Sequence, residues 1–557
     1  MAAKIQNNYQ LSIVNYQLFV NFATKIKTMM KNLILLVIGC WLLALGTEAA
    51  PPLRSLKPMT LADGTVIMPP DVQMAPSAGQ GCCMSPAMIG SGYLQHTGKP
   101  RVLTILAAFE DMPFTVNDPV RAFDQYLNGD EQQDLGNKNN LNASSVRQYF
   151  EICSHQKFSP QFDVVGPVTL PQKLAYYGGT NDRGTDERFS TFCEDALEQA
   201  KGIVSNWSPY DNDGDGNIEL ICVIFAGFGQ NQGGPDTTLW AKASHLNIKL
   251  NSSLNVSRFN CNSELFHPQY PQYINGMGVF IHEFSHCMGL PDLYMTKSGG
   301  YVNNQGMESY SIMDYGLYNY NGYAPCPYTA WEQETMGWTE IEEVRPTADS
   351  HRQIAGLLPL TEGGKAYKIV NSHNDRDYIV MENVQQRGIN KHGEGHGLLV
   401  YHVDYPYSRV NMTDSPNNNP GHPSVAVVPA GGTLINSYLR VDNKPYTTAQ
   451  WRESMKSCVF PGTKNVTSLT SQMALPNYCF WNGSKAEETG IMLSGITEDQ
   501  ESGTVSFTIA TDGQTGIAEV RQLMEDGNQV FYDLQGRKVT RPTCGIYIVN
   551  GRKVVIR

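Results

Sequence analysis

The pattern of apolar and polar positions changes character in the middle of the chain. In the first part, continuous apolar runs predict buried strands at Val102 to Phe109 and at Glu219 to Phe228. Helical spacing predicts helices at Ser144 to Ile152 and at Thr191 to Val204. Strands and helices that alternate in this way are typical of an α/β layer, in which helices pack on a sheet. We predict that this α/β (α+β) domain spans residues 99–345.

Beyond Trp338 the helical spacing almost disappears. Tyr367 to Asn371, Arg376 to Glu382 and Leu398 to Val403 alternate or are wholly apolar, and clusters of Gly, Asn and Pro separate them. Short strands at this spacing are typical of a β-sandwich. We therefore predict an all-β, sandwich-like domain at residues 346–511, packed beside the first domain.

One stretch of the first domain carries candidate metal ligands: Met277 to Tyr294 has the sequence MGVFIHEFSHCMGLPDLY. His282 and His286 are four residues apart, so in a helix both imidazoles lie on one face and reach one metal ion. Glu283 lies beside that face and is not expected to be a ligand. It would take a proton from a zinc-bound water, whose pKa zinc lowers to about 7, and later pass that proton to the leaving amine.

Two further residues complete the predicted metal site. Gly289 can adopt the left-handed backbone conformation that ends a helix and turns the chain, which brings Asp292 back toward the metal. Two imidazole nitrogens and one carboxylate oxygen leave a fourth position for water, which is the arrangement of a catalytic zinc. The alternative is an ordinary helix that happens to carry two histidines and a glutamate, but the extended spacing is far more restrictive than the five-residue core alone.

The stretch Ser311 to Gly316, SIMDYG, resembles the methionine turn of the metzincin metallopeptidases. The resemblance implies that Met313 lies under the metal-binding histidines and that Tyr315 is a candidate donor to the tetrahedral oxyanion. Either residue could instead be ordinary core, because a lone methionine usually serves packing. Asp292 departs from the metzincin pattern, since most members have a third histidine there.

An acidic turn precedes the second predicted strand. Asp211, Asp213 and Asp215 stand at alternate positions with a glycine among them, which resembles the first half of a calcium loop. The last position of such a loop is Cys222 rather than a glutamate, so an EF-hand is excluded. A calcium site closed by Glu219 or by distant residues is one interpretation, and a plain Asx-rich turn is the other.

These motifs occur in the order seen in the immune inhibitor A family of secreted bacterial metalloendopeptidases. The resemblance covers residues 99–338 and rests on the strand from Val102, SVRQYFEICSHQKFSPQFDVVGPVTLP from Ser144, the acidic turn, the zinc motif and TAWEQETMGW. It implies a zinc endopeptidase that acts on proteins, with the two histidines and the aspartate above as zinc ligands and the glutamate as general base. Stabilisation by calcium is implied as well.

The N-terminal region has the features of an export signal. Lys31 precedes a short apolar run, Leu33 to Leu45, and small residues follow it, which is typical of a secretory signal peptide within residues 1–49. The run is shorter than a spanning helix requires, so we predict no transmembrane segment after signal cleavage. The segment before the run is unusually long, which suggests that translation starts at Met29 or Met30.

Residues 50–98 are rich in Pro, Gly, Met and Ser, which is typical of an N-terminal arm or a short pro-segment. The arm contains Cys82 and Cys83. A thiolate from this pair could occupy the open zinc position and keep the enzyme latent, and disulfide pairing is the alternative.

An export signal would permit disulfides among the remaining cysteines. Of the 12 cysteines, Cys40 would be removed with the signal peptide, so an odd number remains and at least one thiol is unpaired or intermolecular. Cys458 and Cys479 are a plausible local disulfide. Cys287, inside the metal helix, is expected to be a small buried apolar residue.

Two segments near the C-terminus have compositions of their own. The proline- and asparagine-rich loop Ser415 to Pro423 is predicted to be exposed. Residues 512–557 form a separate β-module in which Phe531 to Arg537 and Gly545 to Ile556 predict hairpins. This module resembles the C-terminal sorting segments of secreted Bacteroidetes proteins, and a terminal module without an address function is the alternative.

The net charge and the placement of the histidines bear on two further functions, the binding of nucleic acid and the binding of a second metal ion. The formal net charge is −12, the isoelectric point is about 5.5 and no long basic run occurs, so nucleic acid is not expected as a partner. His392, His396 and His402 stand at turn and strand positions without helical spacing. We predict that they are structural and not a second metal cluster.

The sequence thus favours a secreted or cell-surface zinc endopeptidase that hydrolyses peptide bonds in proteins. Zn²⁺ is the expected cofactor, with Ca²⁺ in one interpretation of the acidic turn, and proteins or peptides are the expected substrates. Attachment to the cell surface would use the C-terminal module. The alternative is a surface protein that binds protein or glycan through its β-domains and carries an inactive protease-like domain. The complete set of ligands and base argues against it.

Overall fold

A computed structural model describes residues 47–49, 59–60, 66–67, 89, 91–129, 140–179, 186–296, 306–347, 351–419, 421–434, 440–441, 444–445, 447–512, 531–532, 537–539, 545–549 and 552–556. Most of the predicted signal segment, with Met29 and Met30, and the Cys82-Cys83 pair lie outside these residues. Within them, no helix has the length and apolar character needed to cross a membrane.

The strands of the first part form a mixed sheet. They are β1 (Thr47–Ala49), β2 (Met59–Thr60), β3 (Val66–Ile67), β4 (Arg101–Ala108), β5 (Gln161–Thr169), β6 (Asn217–Ile218), β7 (Ile221–Phe228), β8 (Lys242–Lys249), β9 (Asn255–His267) and β10 (Tyr270–Ile274). β2 and β3 pair with each other, and the others form one sheet in the order β1-β8-β9-β7-β4-β5, with β6 and β10 also paired to β9. Neighbours among β4, β5, β7 and β9 are parallel, whereas β8 is antiparallel to β9.

Helices cover both faces of this sheet. The helices of the chain are α1 (Pro119–Asn128), α2 (Val146–Cys153), α3 (Leu174–Tyr177), α4 (Phe189–Ala200), α5 (Met277–Cys287), α6 (Ala330–Thr335) and α7 (Thr448–Lys456). Side chains of α1, α2 and α5 join a core on one face, and those of α3 and α4 join a second core on the other. α2 begins with a capping box in which Ser145 and Gln148 exchange side-chain to backbone hydrogen bonds.

Strand β4 explains why the apolar runs in the sequence are continuous. Val102 and Leu106 belong to the first core, whereas Leu103 and Ile105 belong to the second. Because both faces of the strand are buried, apolar and polar residues do not alternate along it. The two strands and two helices predicted for this part of the chain are all present, with ends shifted by a few residues.

The second part of the chain is built mainly of strands. They are β11 (Glu342–Glu343), β12 (Arg352–Leu357), β13 (Ala366–Asn371), β14 (Asn374–Val384), β15 (Gly397–Asp404), β16 (Val425–Val427), β17 (Arg440–Val441), β18 (Lys444–Pro445), β19 (Leu469–Thr470), β20 (Phe480–Asn482), β21 (Lys485–Glu487), β22 (Ile491–Asp499) and β23 (Thr504–Thr511). The two larger sheets have the orders β11-β13-β14-β15-β16 and β12-β23-β22-β19. They share one apolar core, to which Met381 contributes from the first sheet and Phe507 from the second.

The five-stranded sheet is buried on its other face as well. There, Val380 and Leu399 belong to the same continuous core as the metal-motif helix α5. Helix α6 makes the contact specific: the backbone N–H of Ala330 donates to Glu382 at 2.9 Å, and that of Trp331 donates to the Tyr401 hydroxyl at 3.0 Å. The two parts of the chain are therefore joined by a shared apolar core.

Two expectations for the second part are wrong. The loop Ser415 to Pro423 is not an exposed loop, because it contains a short 3₁₀ turn, Pro416–Asn418, whose three residues are all buried. Asn417 can be buried because its amide is hydrogen-bonded to backbone groups, which composition alone does not reveal. Cys458 and Cys479 are both free, and the Cys458 thiol donates to the Ser454 carbonyl.

The ends of the chain are described in part. At the C-terminus, β24 (Phe531–Tyr532), β25 (Lys538–Val539), β26 (Gly545–Val549) and β27 (Arg552–Ile556) form a separate sheet. β26 and β27 pair as the predicted second hairpin, while its Asn-Gly turn lies outside the described residues.

Near the N-terminal end, Leu94 of the predicted arm is buried in the first core, and the His96 ring contacts the Met288 carbonyl at 2.8 Å. These arm residues therefore pack with the α/β part.

Candidate metal centre

Helix α5 carries the predicted metal motif and is buried along its whole length. Gly278 allows this close packing, because a Cβ atom there would stand 1.9 Å from the Leu317 carbonyl oxygen. The helix ends at Cys287, and Gly289 turns the chain as predicted, with a φ of 106° that only glycine adopts readily. The Gly289 N–H donates to the His286 carbonyl at 2.8 Å, and the Leu290 N–H to the Ser285 carbonyl at 3.0 Å.

The two histidines and the aspartate of the motif meet in one buried place. The Nε2 atoms of His282 and His286 lie 3.2 Å apart, and Asp292 Oδ1 lies 3.3 Å from each of them. All three side chains are essentially inaccessible to solvent. The predicted ligand set is thus brought together by the helix and the turn after it.

The orientation of both imidazoles is determined by backbone carbonyls. His282 Nδ1 lies 2.8 Å from the Ile312 carbonyl oxygen, and His286 Nδ1 lies 2.7 Å from that of Leu290. Because a carbonyl oxygen only accepts hydrogen bonds, each Nδ1 carries the proton and each Nε2 presents its lone pair to the shared space. Burial also lowers the pKa of His282, which favours the neutral imidazole that binds metal.

The surroundings of Asp292 show whether a cation fits between its carboxylate and the two histidines. Neither carboxylate oxygen of Asp292 has a hydrogen-bond partner among the described residues, although both are buried. Burial opposes its ionisation, so a pKa below the ordinary value requires positive charge on the adjacent His286 and His282 or between them. A buried ionised carboxylate that faces two imidazole lone pairs is stabilised by a cation held between them. The donor set therefore fits zinc.

Glu283 lies next to these ligands but is not one of the three residues that cluster. Its Oε2 accepts a hydrogen bond from the backbone N–H of Ala243 in strand β8 at 2.6 Å. This contact joins the metal helix to the antiparallel strand of the sheet. The carboxylate is therefore held in place by the fold, as a positioned proton acceptor requires.

The predicted methionine turn lies against the ligands. The carbonyl of Ile312 accepts from His282, and the carbonyl of Met313 accepts from the backbone N–H of Leu293 at 2.8 Å. Met313 itself is fully buried. The turn thus contacts both the first ligand and the residue that follows the third.

Tyr315 is fully buried, and a second tyrosine lies near both its ring and the imidazole of His282. The centroid of the Tyr315 ring lies 6.4 Å from that of Tyr294, which in turn lies 6.4 Å from the imidazole of His282 in a stacked arrangement. The role of Tyr315 as an oxyanion donor remains a prediction, which a Tyr315→Phe variant with unchanged turnover would contradict. The position of Tyr294 beside the His282 imidazole was not predicted. Its place in the sequence, two residues after Asp292, was the one feature that could have indicated it.

Comparison with known proteins agrees with this geometry. Residues 93–339 match the family model described as immune inhibitor A peptidase M6, catalytic domain. This segment is a peptidase M6 catalytic domain. The family predicted from the motifs is therefore confirmed, and so is the class of enzyme, a metallopeptidase, for this domain.

Curated relatives of the M6 domain include two named metalloprotease or immune inhibitor proteins. Pre-pro-metalloprotease PrtV of Vibrio cholerae serotype O1 is 26% identical over 272 residues, which cover 42% of this chain and 29% of that protein. Immune inhibitor A of Bacillus thuringiensis subsp. alesti is 26% identical over 254 residues, which cover 40% of this chain and 36% of that protein. The chain thus spans only about a third of the length of these relatives.

A buried glutamate of the M6 domain supports the turn around Met313 and was not predicted. Glu332 Oε1 accepts from the Ser311 hydroxyl at 2.5 Å, and Ser311 Oγ accepts from the Met313 N–H at 2.9 Å. Glu332 also forms a capping box with Thr329 at the start of α6. The Thr-x-x-Glu pattern was a signal for this cap, although it does not reveal the contact with Ser311.

The protonation of Glu332 predicts a pH dependence of stability. Burial raises its pKa from 4.5 to about 7, so the folded chain keeps this proton at pH values where the unfolded chain has lost it. We expect the free energy of unfolding of the metal-free protein to fall as the pH rises from about 5 to about 8. Glu332→Gln should reduce this fall by about 2 kcal/mol.

Urea unfolding across this pH range, with chelator present, measures the difference. Glu382 is also fully buried with a pKa raised to about 7, and it remains in both proteins. The comparison therefore measures the contribution of Glu332 together with its effect on the pKa of Glu382. Equal pH profiles for the wild type and Glu332→Gln would contradict the prediction.

The acidic turn also forms a cluster. One carboxylate oxygen from each of Asp211, Asp213 and Asp215 lies within 4.8 Å of the others. Asp211 accepts from the N–H groups of Gly214 and Gly216, both at 3.0 Å. These bonds give the turn its shape, and the three carboxylates face one another at the surface.

Glu219 is not part of that cluster. It is buried, and its Oε2 accepts from the backbone N–H of Asn212 at 3.3 Å and from the Asn212 side chain at 3.2 Å. Burial raises the pKa of Glu219. The structure thus places Glu219 as an internal support of the turn, and closure of a calcium site by this residue remains a prediction.

The remaining predicted residues lie in separate structural contacts. His402 Nε2 lies 2.7 Å from Asp377, His396 Nδ1 lies 2.7 Å from Glu498, and the His392 ring stacks on Tyr320 at 3.7 Å. The three histidines have no common ligand position among the described residues, and their structural role remains a prediction. Cys287 is a free buried thiol, as expected, and burial raises its pKa.

Proposed function

We propose that the protein is a zinc-dependent endopeptidase in which His282, His286 and Asp292 hold the metal. The observation that supports this most strongly is the convergence of two Nε2 atoms and one carboxylate oxygen within 3.3 Å, with both Nδ1 atoms bound to carbonyls. Three protein ligands match a catalytic zinc site better than a structural one, which has four. The M6 domain match points to the same class.

Glu283 would act as the general base. A zinc ion at this site supplies Lewis acidity that lowers the pKa of a water to about 7. Glu283, held through Oε2 by the Ala243 N–H, would accept one proton of the attacking water. As the C–N bond breaks, the same carboxyl group would give this proton to the leaving amine nitrogen. The oxygen remains on the new carboxylate, so the products are one acid and one amine.

Strand β8 can pair with an extended chain. β1 pairs with it antiparallel, with Glu48 opposite Ala243 and Ala49 opposite Lys242. Ala243 is also the residue that contacts Glu283. An extended chain can therefore add to the sheet beside the base, which favours a protein or peptide substrate over a small molecule.

We also propose that the catalytic domain is metzincin-like. Support comes from the turn around Met313, whose two successive carbonyls bind the His282 ring and the backbone after Asp292. A crystal structure with zinc in which Met313 does not lie beneath the two histidines would contradict this part of the proposal.

Cleavage of casein by the chain beginning near Ala50 tests the proposed function. We expect stoichiometric zinc, cleavage that a zinc chelator abolishes, and recovery on addition of zinc. Bound zinc without cleavage would point to latency imposed by residues 50–98, and limited trypsin treatment should then release activity. A folded protein without zinc would favour the alternative, a surface protein that binds protein or glycan with an inactive protease-like domain.

Secretion belongs to the proposal and rests on the sequence features of the N-terminal segment. We expect the mature protein in the medium or at the cell surface, in the latter case held by the C-terminal module. N-terminal sequencing of the protein recovered from these fractions would contradict cleavage of a signal peptide if Met1, Met29 or Met30 were still present, and protein found only inside the cell would contradict secretion.

We further propose that the cluster of Asp211, Asp213 and Asp215 binds Ca²⁺. Calcium should raise the melting temperature by several degrees, because a ligand that binds only the folded state stabilises it. Asp213→Asn should abolish this rise, since an amide keeps the shape of the side chain but lacks its charge. Thermal unfolding with and without calcium measures the effect.

The exposed Asp124 provides a matched control outside the cluster. Asp124→Asn should keep the full response to calcium. An identical response in Asp213→Asn and in the wild type would show that the cluster does not bind the ion.

A further inference from the structure

The third ligand of the metal site has little support from side chains. Asp292 has no hydrogen-bond donor to its carboxylate among the described residues, whereas each histidine ligand is oriented by a carbonyl. Its position must therefore be determined by the backbone around it. The next residue, Leu293, has two backbone hydrogen bonds: its N–H donates to the Met313 carbonyl at 2.8 Å, and its carbonyl accepts from the Asn417 side chain at 2.6 Å.

Asn417 is a fully hydrogen-bonded amide. Its Nδ2 donates to the carbonyl of Leu293 and to that of Val425 at 2.8 Å, and its Oδ1 accepts from the N–H groups of Ser424 at 2.8 Å and Val425 at 3.0 Å. All four hydrogen-bonding positions of the amide group are thus occupied. The side chain is 1% exposed, so losing a bond would leave a buried polar group unsatisfied.

Further contacts hold the backbone that follows Asp292. Asn418 binds Thr296 twice, through the Thr296 N–H at 3.0 Å and the Thr296 hydroxyl at 2.6 Å. A Cβ atom at Gly306 would stand 2.4 Å from the Leu293 carbonyl oxygen and 3.3 Å from Asn417 Nδ2. The backbone after Asp292 is therefore enclosed on this side by the buried turn Pro416–Asn418.

This turn lies outside residues 93–339, which match the M6 domain. It belongs to the second part of the chain, between β15 and β16, and β16 continues the five-stranded sheet. A residue of the β-rich part thus reaches the backbone beside a proposed metal ligand.

We propose that Asn417 is a positioning residue for zinc binding: it holds the Leu293 carbonyl and thereby places the Asp292 carboxylate opposite the two histidines. The inference rests on the proposed function of the metal site. It assigns to the β-rich part of the chain a share in metal binding, in addition to any role in binding substrate or surface.

The affinity of the full chain for zinc tests this inference. Asn417→Asp keeps both acceptor bonds to Ser424 and Val425 but turns a carboxylate toward two carbonyl oxygens. We expect its zinc affinity, measured by competition with a chromophoric chelator, to fall by about 10- to 100-fold, as for other residues that orient metal ligands. A purely structural role would lower the melting temperature without this loss.

Asn383 provides a matched control. It is 2% exposed, and its Nδ2 also donates to two carbonyls, those of Leu357 at 2.7 Å and Gly503 at 2.8 Å. These contacts lie between the sheets of the second part. Asn383→Asp should destabilise the protein to a similar degree and bind zinc like the wild type.

The outcomes separate this inference from the proposed function. If the wild type binds zinc and Asn417→Asp binds it within a factor of about two, the inference is overturned and the metal site stands. A wild type that binds no zinc overturns the proposed function first. If Asn417→Asp does not fold, the pair Asn417→Ala and Asn383→Ala is compared in the same assay, and equal zinc affinities of these two would overturn the inference.

Discussion

Replacing Glu283 by alanine is expected to lower the rate of casein cleavage by about a thousandfold or more, while the bound zinc stays at the wild-type level. A positioned general base contributes roughly 10²- to 10⁴-fold to such reactions. Glu283 is fully buried, and the Ala243 N–H holds its carboxylate at 2.6 Å. The loss should appear in kcat, because the proton is transferred in the transition state.

Zinc content should not change, because Glu283 is not one of the three residues whose ligand atoms cluster. Glu283→Gln refines the experiment: its amide oxygen can still accept from Ala243, but the group cannot take up a proton at neutral pH. We expect the same loss of activity with less effect on folding. Substantial cleavage by either variant, with zinc bound, would show that another residue acts as the base.

Replacing Asp292 by asparagine is expected to lower the affinity for zinc by more than about a hundredfold, and cleavage should be lost with the metal. Removing a direct ligand should cost more than changing a residue that only orients one, which typically costs 10- to 100-fold. The neutral amide has nearly the same shape but supplies neither the negative charge nor the strong donor oxygen. Zinc titration with a competing chelator measures the loss, and the rise in melting temperature on zinc addition should disappear.

Glu264 is a suitable control for this variant. It is a buried carboxylate in strand β9. It accepts hydrogen bonds from the backbone N–H of Thr115 at 2.7 Å and from those of Val116 and Gly227, both at 3.0 Å. Glu264→Gln should destabilise the protein and leave zinc affinity unchanged. Wild-type zinc affinity in Asp292→Asn would mean that another residue supplies the third ligand.

Much of the metal site could be predicted from the sequence, because its geometry is local. The spacing of His282 and His286 places both on one face of any helix, and Gly289 allows the turn that returns Asp292. The three residues lie within one short stretch of chain. Their arrangement therefore depends on backbone conformations that residue type and spacing largely specify.

The long-range contacts of the site could not be predicted in this way. The Ala243 N–H that holds Glu283 belongs to strand β8, outside the metal-motif helix. The residue type at this position does not predict the hydrogen bond, because the donor is a backbone group. Likewise, Ser311 and Glu332 meet only because α6 packs beside the methionine turn. Such contacts depend on the register of strands and the packing of helices, which a single sequence does not specify.

The second part of the chain shows the same division. Alternating or wholly apolar segments predicted its strands, because burial of one or both faces of a strand leaves such a pattern whatever the strand packs against. The burial of Asn417 was predicted wrongly, because proline and asparagine are common in exposed loops and only the surrounding carbonyls and N–H groups make this site compatible with burial. The ligands of the metal site thus follow from local spacing, whereas their support depends on how the β-rich part packs against the M6 domain.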